Sequence, residues 1–330
     1  MIDSLRTNRR TLLRLSAVAV ATGLLPRSAL AQDADGASEA PAPTNLPLPS
    51  VDARFPAEIA PGVFVLPDGR IPLVPNVGIV VGSERALVVD CGLGIDSAES
   101  VLDAARRLAP GRELVLTLTH AHPEHGFGAQ VFRADAQIFY NAAQADHLAR
   151  SGQALLDGFR EAVLPPEHRH LLDGIEITAP ERTYDGATTT IDLGGREVVL
   201  ASVGIAHSPG DQIVHVPDTG VLFTGDLVEE RIYPIVPYFP PLIGADDIDL
   251  PRWKSVLGQM WEREPAILVP GHGNLGGLEL AEEVNGYLDA VEQIAASEAS
   301  LEDMEAEVRR RYPTWEQPGY IAPALKFFAR

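Results

Sequence analysis

Within six positions the chain places three histidines and a carboxylate: His120, His122, Glu124 and His125. Neutral imidazole nitrogens together with a carboxylate oxygen suit zinc, or another borderline divalent cation such as iron, manganese or cobalt. Any one of these histidines alone reads as a helix cap or a solvated loop residue, but four donors in one turn read as a metal site. Further donors stand at the ends of apolar runs: His207 after 199–206, Asp226 after Val221-Leu222-Phe223-Thr224-Gly225, and His272 after Ile267-Leu268-Val269-Pro270-Gly271. A metal at such a site lowers the pKa of bound water from about 15.7 to about 7, so a hydroxide nucleophile is available at neutral pH without a serine or cysteine.

Side chains this far apart in the chain need a rigid frame. The run 113–119, ELVLTLT, predicts a buried strand, and the small residues Gly126, Gly128 and Ala129 after the histidines predict a strand-to-helix turn. Strand-like runs also cover 63–66, 77–81, 86–89, 136–140 and 183–203, with turns at 82–84 and at Gly194-Gly195. Helical spacing covers the segment after Ser97 (Val101, Leu102, Ala105, Leu108), then 142–162, then Leu280, Val284, Leu288 and Val291, and a helix opened by Ser300 with Asp303. Two β-rich halves, each with helices, predict an α/β fold: an αββα sandwich of two facing mixed sheets with helices on the outer faces and the donors along one edge.

The first residues predict targeting. Arg9-Arg10 precede the apolar run 15–25, and Ala29-Leu30-Ala31 supplies a small-residue cleavage site. We therefore read 1–31 as a twin-arginine signal peptide, 32–50 as a flexible Ala/Pro/Asp/Ser tether, and 51–330 as one domain with a C-terminal helical extension. The apolar run is shorter than the roughly 20 residues of a spanning helix, so no stable membrane anchor is expected and the destination is periplasmic or secreted. The formal net charge is −20, and the signal carries five arginines against Asp3, so the remainder is more acidic still. That disfavours nucleic acid as a partner, because phosphate binding relies on Lys and Arg. With a single cysteine, Cys91, no intrachain disulfide forms; at a strand end it reads as a small buried residue. Gly92-Leu93-Gly94 lacks the third glycine of a dinucleotide loop. His147, His168, His170 and His215 have no strand-end context and are left out of the site.

These motifs resemble the metallo-β-lactamase superfamily of metallohydrolases. Its H-x-H-x-D-H motif has its counterpart in His120, His122, Glu124 and His125; GIAHSPGD carries His207, FTGD carries Asp226, VPGHG carries His272, and Asp90-Cys91-Gly92 stands where the family usually has Asp-Thr-Gly. The resemblance implies that His120, His122 and His207 hold one ion and Glu124, His125 and His272 the other, with Asp226 bridging. Two zinc ions are expected, with iron or manganese as alternatives. Glu124 is one methylene longer than the family's aspartate, which bears on the second ion and on a proton relay through this residue. The implied activity is hydrolysis of a small ester, lactone or amide, a β-lactam included; the alternatives within the family are a thioester hydrolase of the glyoxalase II kind and a mononuclear iron persulfide dioxygenase. The segment 227–243, rich in Tyr, Phe and Pro, is expected to shape the substrate site, with Tyr233 offered as a hydrogen-bond partner for a substrate oxygen or as a packing residue. Trp315, Tyr320 and Phe327 are candidates for a homo-oligomer contact.

Overall fold

A computed structural model describes residues 47–329, with 235 and 298 excepted; the expected signal peptide and the tether as far as residue 46 lie outside the described residues. The first sheet has seven strands in chain order: β1 (Ala57–Ala60), β2 (Val63–Leu66), β3 (Val77–Val81), β4 (Arg85–Val89), β5 (Glu113–Thr117), β6 (Ala136–Asn141) and β7 (Arg182–Tyr184). Pairing is antiparallel from β1 to β4 and parallel from β4 to β7. Parallel neighbours need long crossovers. They are supplied by α1 (Ile95–Leu108), by the short α2 (Pro123–Gly126) with a 3-10 turn at 127–134, and by α3 (Ala142–Gly158).

The second sheet runs β12-β11-β10-β9-β8, built from β8 (Thr188–Asp192), β9 (Glu197–Gly204), β10 (Asp211–Val216), β11 (Val221–Glu229) and β12 (Ile267–His272). Only its β11–β12 pair is parallel, bridged by α4 (Leu250–Gln259). Three further helices, α5 (Glu279–Ala295), α6 (Leu301–Arg311) and α7 (Ile321–Phe328), complete the chain.

Alternation along the strands explains the layers. In β4, Leu87 and Val89 point between the sheets, where they join Val80, Val115, Val214, Phe223 and Val269, while Ala86 and Val88 point outward to Val101 and Leu102 of α1. In β11, Leu222 turns the other way, toward Trp253 of α4 and Leu288 of α5. The sheets approach closely enough that Phe223 occupies the place of a Gly78 side chain: its ring would collide with a Cβ there. The αββα sandwich is the observed architecture.

Some local expectations are corrected. Helix α1 starts at Ile95 behind an extended Gly94, so Ser97 lies inside it, and the Ser97 hydroxyl accepts the Val51 N–H at 3.2 Å instead of capping. The helix expected over 142–162 ends at Gly158 and continues as a π-turn at 159–163. Ser300 does cap α6, accepting from the Asp303 N–H at 3.2 Å. Of the residues offered as an oligomer contact, Phe327 is buried in the chain's own helical core, and Trp315 stacks on Tyr287 with ring centroids 5.1 Å apart. Tyr320 has a different place, described below.

Candidate metal centre

Strand β4 delivers Asp90, which takes a left-handed backbone, φ 67°, that Asp tolerates better than most residues. This turn aims its carboxylate across the end of β5. One oxygen accepts the Thr119 N–H at 2.7 Å; the other accepts the Thr119 hydroxyl at 2.8 Å and lies 2.9 Å from His125 Nδ1. Since the Thr119 hydroxyl donates to Asp90, it accepts from His120 Nδ1 at 3.1 Å. Both imidazoles thus carry a proton on Nδ1 and turn Nε2 inward. The Cys91 N–H donates to the His125 carbonyl at 2.8 Å, which ties the two strand-end turns together.

His207 sits in the turn between β9 and β10. Asp211 holds that turn by accepting the His207 N–H at 2.7 Å and the Ser208 N–H at 2.9 Å. The His207 ring packs edge-on against Trp253, whose Nε1–H donates to the Leu227 carbonyl at 2.9 Å. His272 ends β12 and donates from Nδ1 to the Val74 carbonyl at 2.8 Å. Asn76 clamps the same turn by donating to the Pro270 and Gly273 carbonyls. Gly271 is required here, because a Cβ would strike Asp226 Oδ1.

The result is one buried cluster. His120, His122 and His207 form one donor set, and Glu124, His125, Asp226 and His272 form another; within each set the donor atoms lie within 4.8 Å of one another. Asp226 stands between the sets: Oδ2 is 3.6 Å from His120 Nε2, and Oδ1 is 3.2 Å from His125 Nε2 and 3.5 Å from His272 Nε2. The Nε2 atoms of His120, His125 and His272, one Glu124 oxygen and both Asp226 oxygens are buried without a hydrogen bond among the described residues. Buried polar atoms without partners are costly unless an ion or water completes them. Imidazoles whose second nitrogen is already tied to the protein are arranged as ligands. The donors present therefore fit two divalent cations.

In the metal-free site the electrostatics divide the donors. Burial, reinforced by neighbouring imidazoles, holds His120 and His122 well below the ordinary histidine pKa, which keeps them in the neutral, ligating form. Burial also acts to lower His125, but Asp226 and Asp90 on either side outweigh it and hold its imidazole well above the usual value. Burial pushes the Glu124 carboxyl up. It pushes the Cys91 thiol up as well, and Cys91 belongs to neither donor set.

All seven donors named from the sequence are brought together; Tyr233 is not. Its hydroxyl donates to the Tyr312 carbonyl at 2.9 Å, its ring packs beside Tyr287 and Trp315, and it is buried in the helical core, so the expected substrate contact is replaced by packing. His147, His168, His170 and His215 stay outside both donor sets. Three residues beside the donors were given no site role from the sequence: Asp90, named there only within the turn Asp90-Cys91-Gly92, Glu229 and Tyr320. Asp90 orients His125, and its position at a strand end was the available signal. Glu229, within the segment 227–243 expected to shape the substrate site, is the last residue of β11 and groups with His207 and Asp226; an acid three residues after Asp226 was its signal. Tyr320, read as an oligomer contact, lines the cavity beside His122 and Glu124. Nothing local in the sequence marks it.

The family profile described as the Metallo-beta-lactamase superfamily matches residues 70–272. Among curated relatives, an acyl-coenzyme A thioesterase MBLAC2 of Gallus gallus is 32% identical over 167 residues, 46% of this chain and 57% of that protein. The Bos taurus thioesterase of the same name is 30% identical over 172 residues, 46% of this chain and 58% of that protein. The chain thus spans a little over half the length of these relatives. A metallo-beta-lactamase type 2 of Bacteroides fragilis is 25% identical over 120 residues, 34% of this chain and 45% of that protein. Among solved structures, a metallo-beta-lactamase from Pontibacter korlensis superposes with a TM-score of 0.53 at 19% identity, covering 70% of this chain and 98% of that one, and shares the fold. With the profile spanning both donor sets and strands β3 to β12, this chain belongs to the metallo-beta-lactamase superfamily.

Proposed function

We propose that this chain is an exported, dinuclear zinc-dependent hydrolase that cleaves a carboxylic ester or thioester. The observation that carries the reading is the buried cluster of two adjoining donor sets, in which the Nε2 atoms of His120, His125 and His272 and both Asp226 oxygens have no hydrogen bond among the described residues. His120, His122 and His207 would hold one ion, and Glu124, His125 and His272 the other, with Asp226 between them. When bound, the ions supply an ionised water near neutral pH and polarise the scissile carbonyl. The rest is the work of the chain. Asp90, Val74 and Thr119 fix which imidazole nitrogen faces inward. Glu124, which lines the cavity and belongs to the second donor set, would accept a proton of the attacking water and return it to the leaving group.

The thioesterase relatives favour an oxygen or sulfur leaving group over an amide nitrogen. Four donors in the second set favour hydrolysis over a mononuclear oxygenase. Export is proposed from Arg9-Arg10, the apolar run 15–25 and the small-residue site at Ala31. Among the described residues no helix is long and apolar enough to cross a membrane.

Elemental analysis of protein purified without added metal, with p-nitrophenyl acetate turnover before and after chelation, tests the reading. About two zinc ions per chain and activity restored by zinc support it. One iron per chain, with no hydrolysis after zinc loading, refutes it.

A further inference from the structure

Beside the two donor sets lies a cavity of about 500 Å³, within the range of about 300–1,000 Å³ usual for small-ligand sites. One end is formed by His122 and Glu124, one residue from each donor set. Its walls are apolar: Leu155 of α3 and Phe159 of the π-turn on one side, Phe239, Leu242 and Ile243 on the other. The two walls meet at Gly158, where a Cβ would lie 2.7 Å from the Leu242 side chain. Pro237, Pro240 and Pro241 restrict the backbone of the second wall, so the cavity is formed before a ligand arrives.

What the lining omits is equally specific. Among the described residues that line the cavity none is lysine or arginine, and its acids are Glu124 and Glu161. A carboxylate or phosphate placed along these walls would lose its hydration and meet no counter-charge, whereas a hydrocarbon chain gains by leaving water.

We propose, on the hydrolase reading above, that the cavity holds the uncharged acyl chain of an ester or thioester. The carbonyl then lies at the His122 and Glu124 end, the hydrocarbon runs between Phe159 and Leu242, and the leaving group points to solvent. The acyl–oxygen or acyl–sulfur bond breaks; water gives its hydroxyl to the acyl carbon and its other proton to the leaving group, yielding a carboxylic acid and an alcohol or thiol. Substrates whose acyl portion itself carries an anion are excluded by the same walls.

The test uses the zinc-loaded full chain with p-nitrophenyl esters from acetyl to octanoyl, and an ω-carboxylated hexanoyl ester. Each added methylene is expected to raise kcat/KM by about fourfold until the cavity is full, and the ω-carboxylate to lower it by about a hundredfold or more relative to hexanoyl. Ala162→Trp, at an exposed point of the wall, should flatten the chain-length series. Calorimetric binding of octanamide against acetamide gives a reading independent of turnover. Hydrolysis with no chain-length dependence, or a preference for the ω-carboxylate, overturns the acyl-chain proposal and leaves the hydrolase reading intact. No hydrolysis, with octanamide binding that Ala162→Trp abolishes, refutes the hydrolase reading and keeps the apolar-chain site. No hydrolysis and no octanamide preference overturns both.

Discussion

Replacing Asp90 by Asn isolates the contribution of a residue that touches no ion. Asn keeps the shape and tolerates the left-handed backbone at φ 67°, so strain is not introduced. Its carbonyl oxygen still accepts the Thr119 N–H, and the Thr119 hydroxyl can rotate to accept from the new amide. His125 has no such escape: its Nδ1–H, 2.9 Å from the former carboxylate, now faces an N–H. The imidazole relieves this by moving its proton to Nε2, the atom that faces Asp226 and must be unprotonated to bind a cation. A hydrogen bond to a charged group is worth about 1.5–3 kcal/mol. Lost from the ligating tautomer, that is roughly a ten- to hundredfold weaker second ion, the range found when partners of metal ligands are removed. Competition titration with a chromophoric chelator resolves the two ions. The weaker one should shift by this factor, while the ion of His120, His122 and His207 shifts less. Affinity for both ions within about twofold of the parent would refute the claim that Asp90 selects the His125 tautomer.

Further expectations concern the frame and the donors. Gly271→Ala pushes a methyl into Asp226 Oδ1, so chemical denaturation should show a loss of about 2–3 kcal/mol or more together with loss of metal. In metal-free protein Asp226 and Asp90 keep His125 protonated at neutral pH, so filling the second set should release a proton and weaken as pH falls; His120 and His122, held neutral by burial, should release none. Calorimetry in two buffers of different ionisation enthalpy measures this directly. Tyr233→Phe removes the bond to the Tyr312 carbonyl and should lower unfolding stability by about 0.5–1.5 kcal/mol with kcat unchanged; a fall in kcat at constant metal content would restore Tyr233 to the site. Shortening Glu124 to Asp should change the affinity of the second ion with the first unaffected, and equal titration curves for both proteins would show that the extra methylene has no effect there.

The amino-acid sequence by itself determined the layers and the donors. Residues 86–89 of β4 and 221–223 of β11 are apolar because both faces of each strand are covered, and the donors follow such runs, although Asp226 lies inside β11, which continues to Glu229, and not at its end as expected. Identity and local position suffice for that reading. Tertiary structure alone decided the rest, because it depends on contacts between residues remote in the chain. The tautomer of His272 is set by a carbonyl 198 residues away, at Val74. Tyr233 and Tyr320 are both aromatic residues near turns, yet only the packing of the C-terminal helices sends the first into the core and the second to the cavity. The cavity likewise exists only where α3 and its π-turn meet the proline-bearing segment, since its shape and the lack of lysine and arginine among the described lining residues are properties of a surface assembled from distant parts.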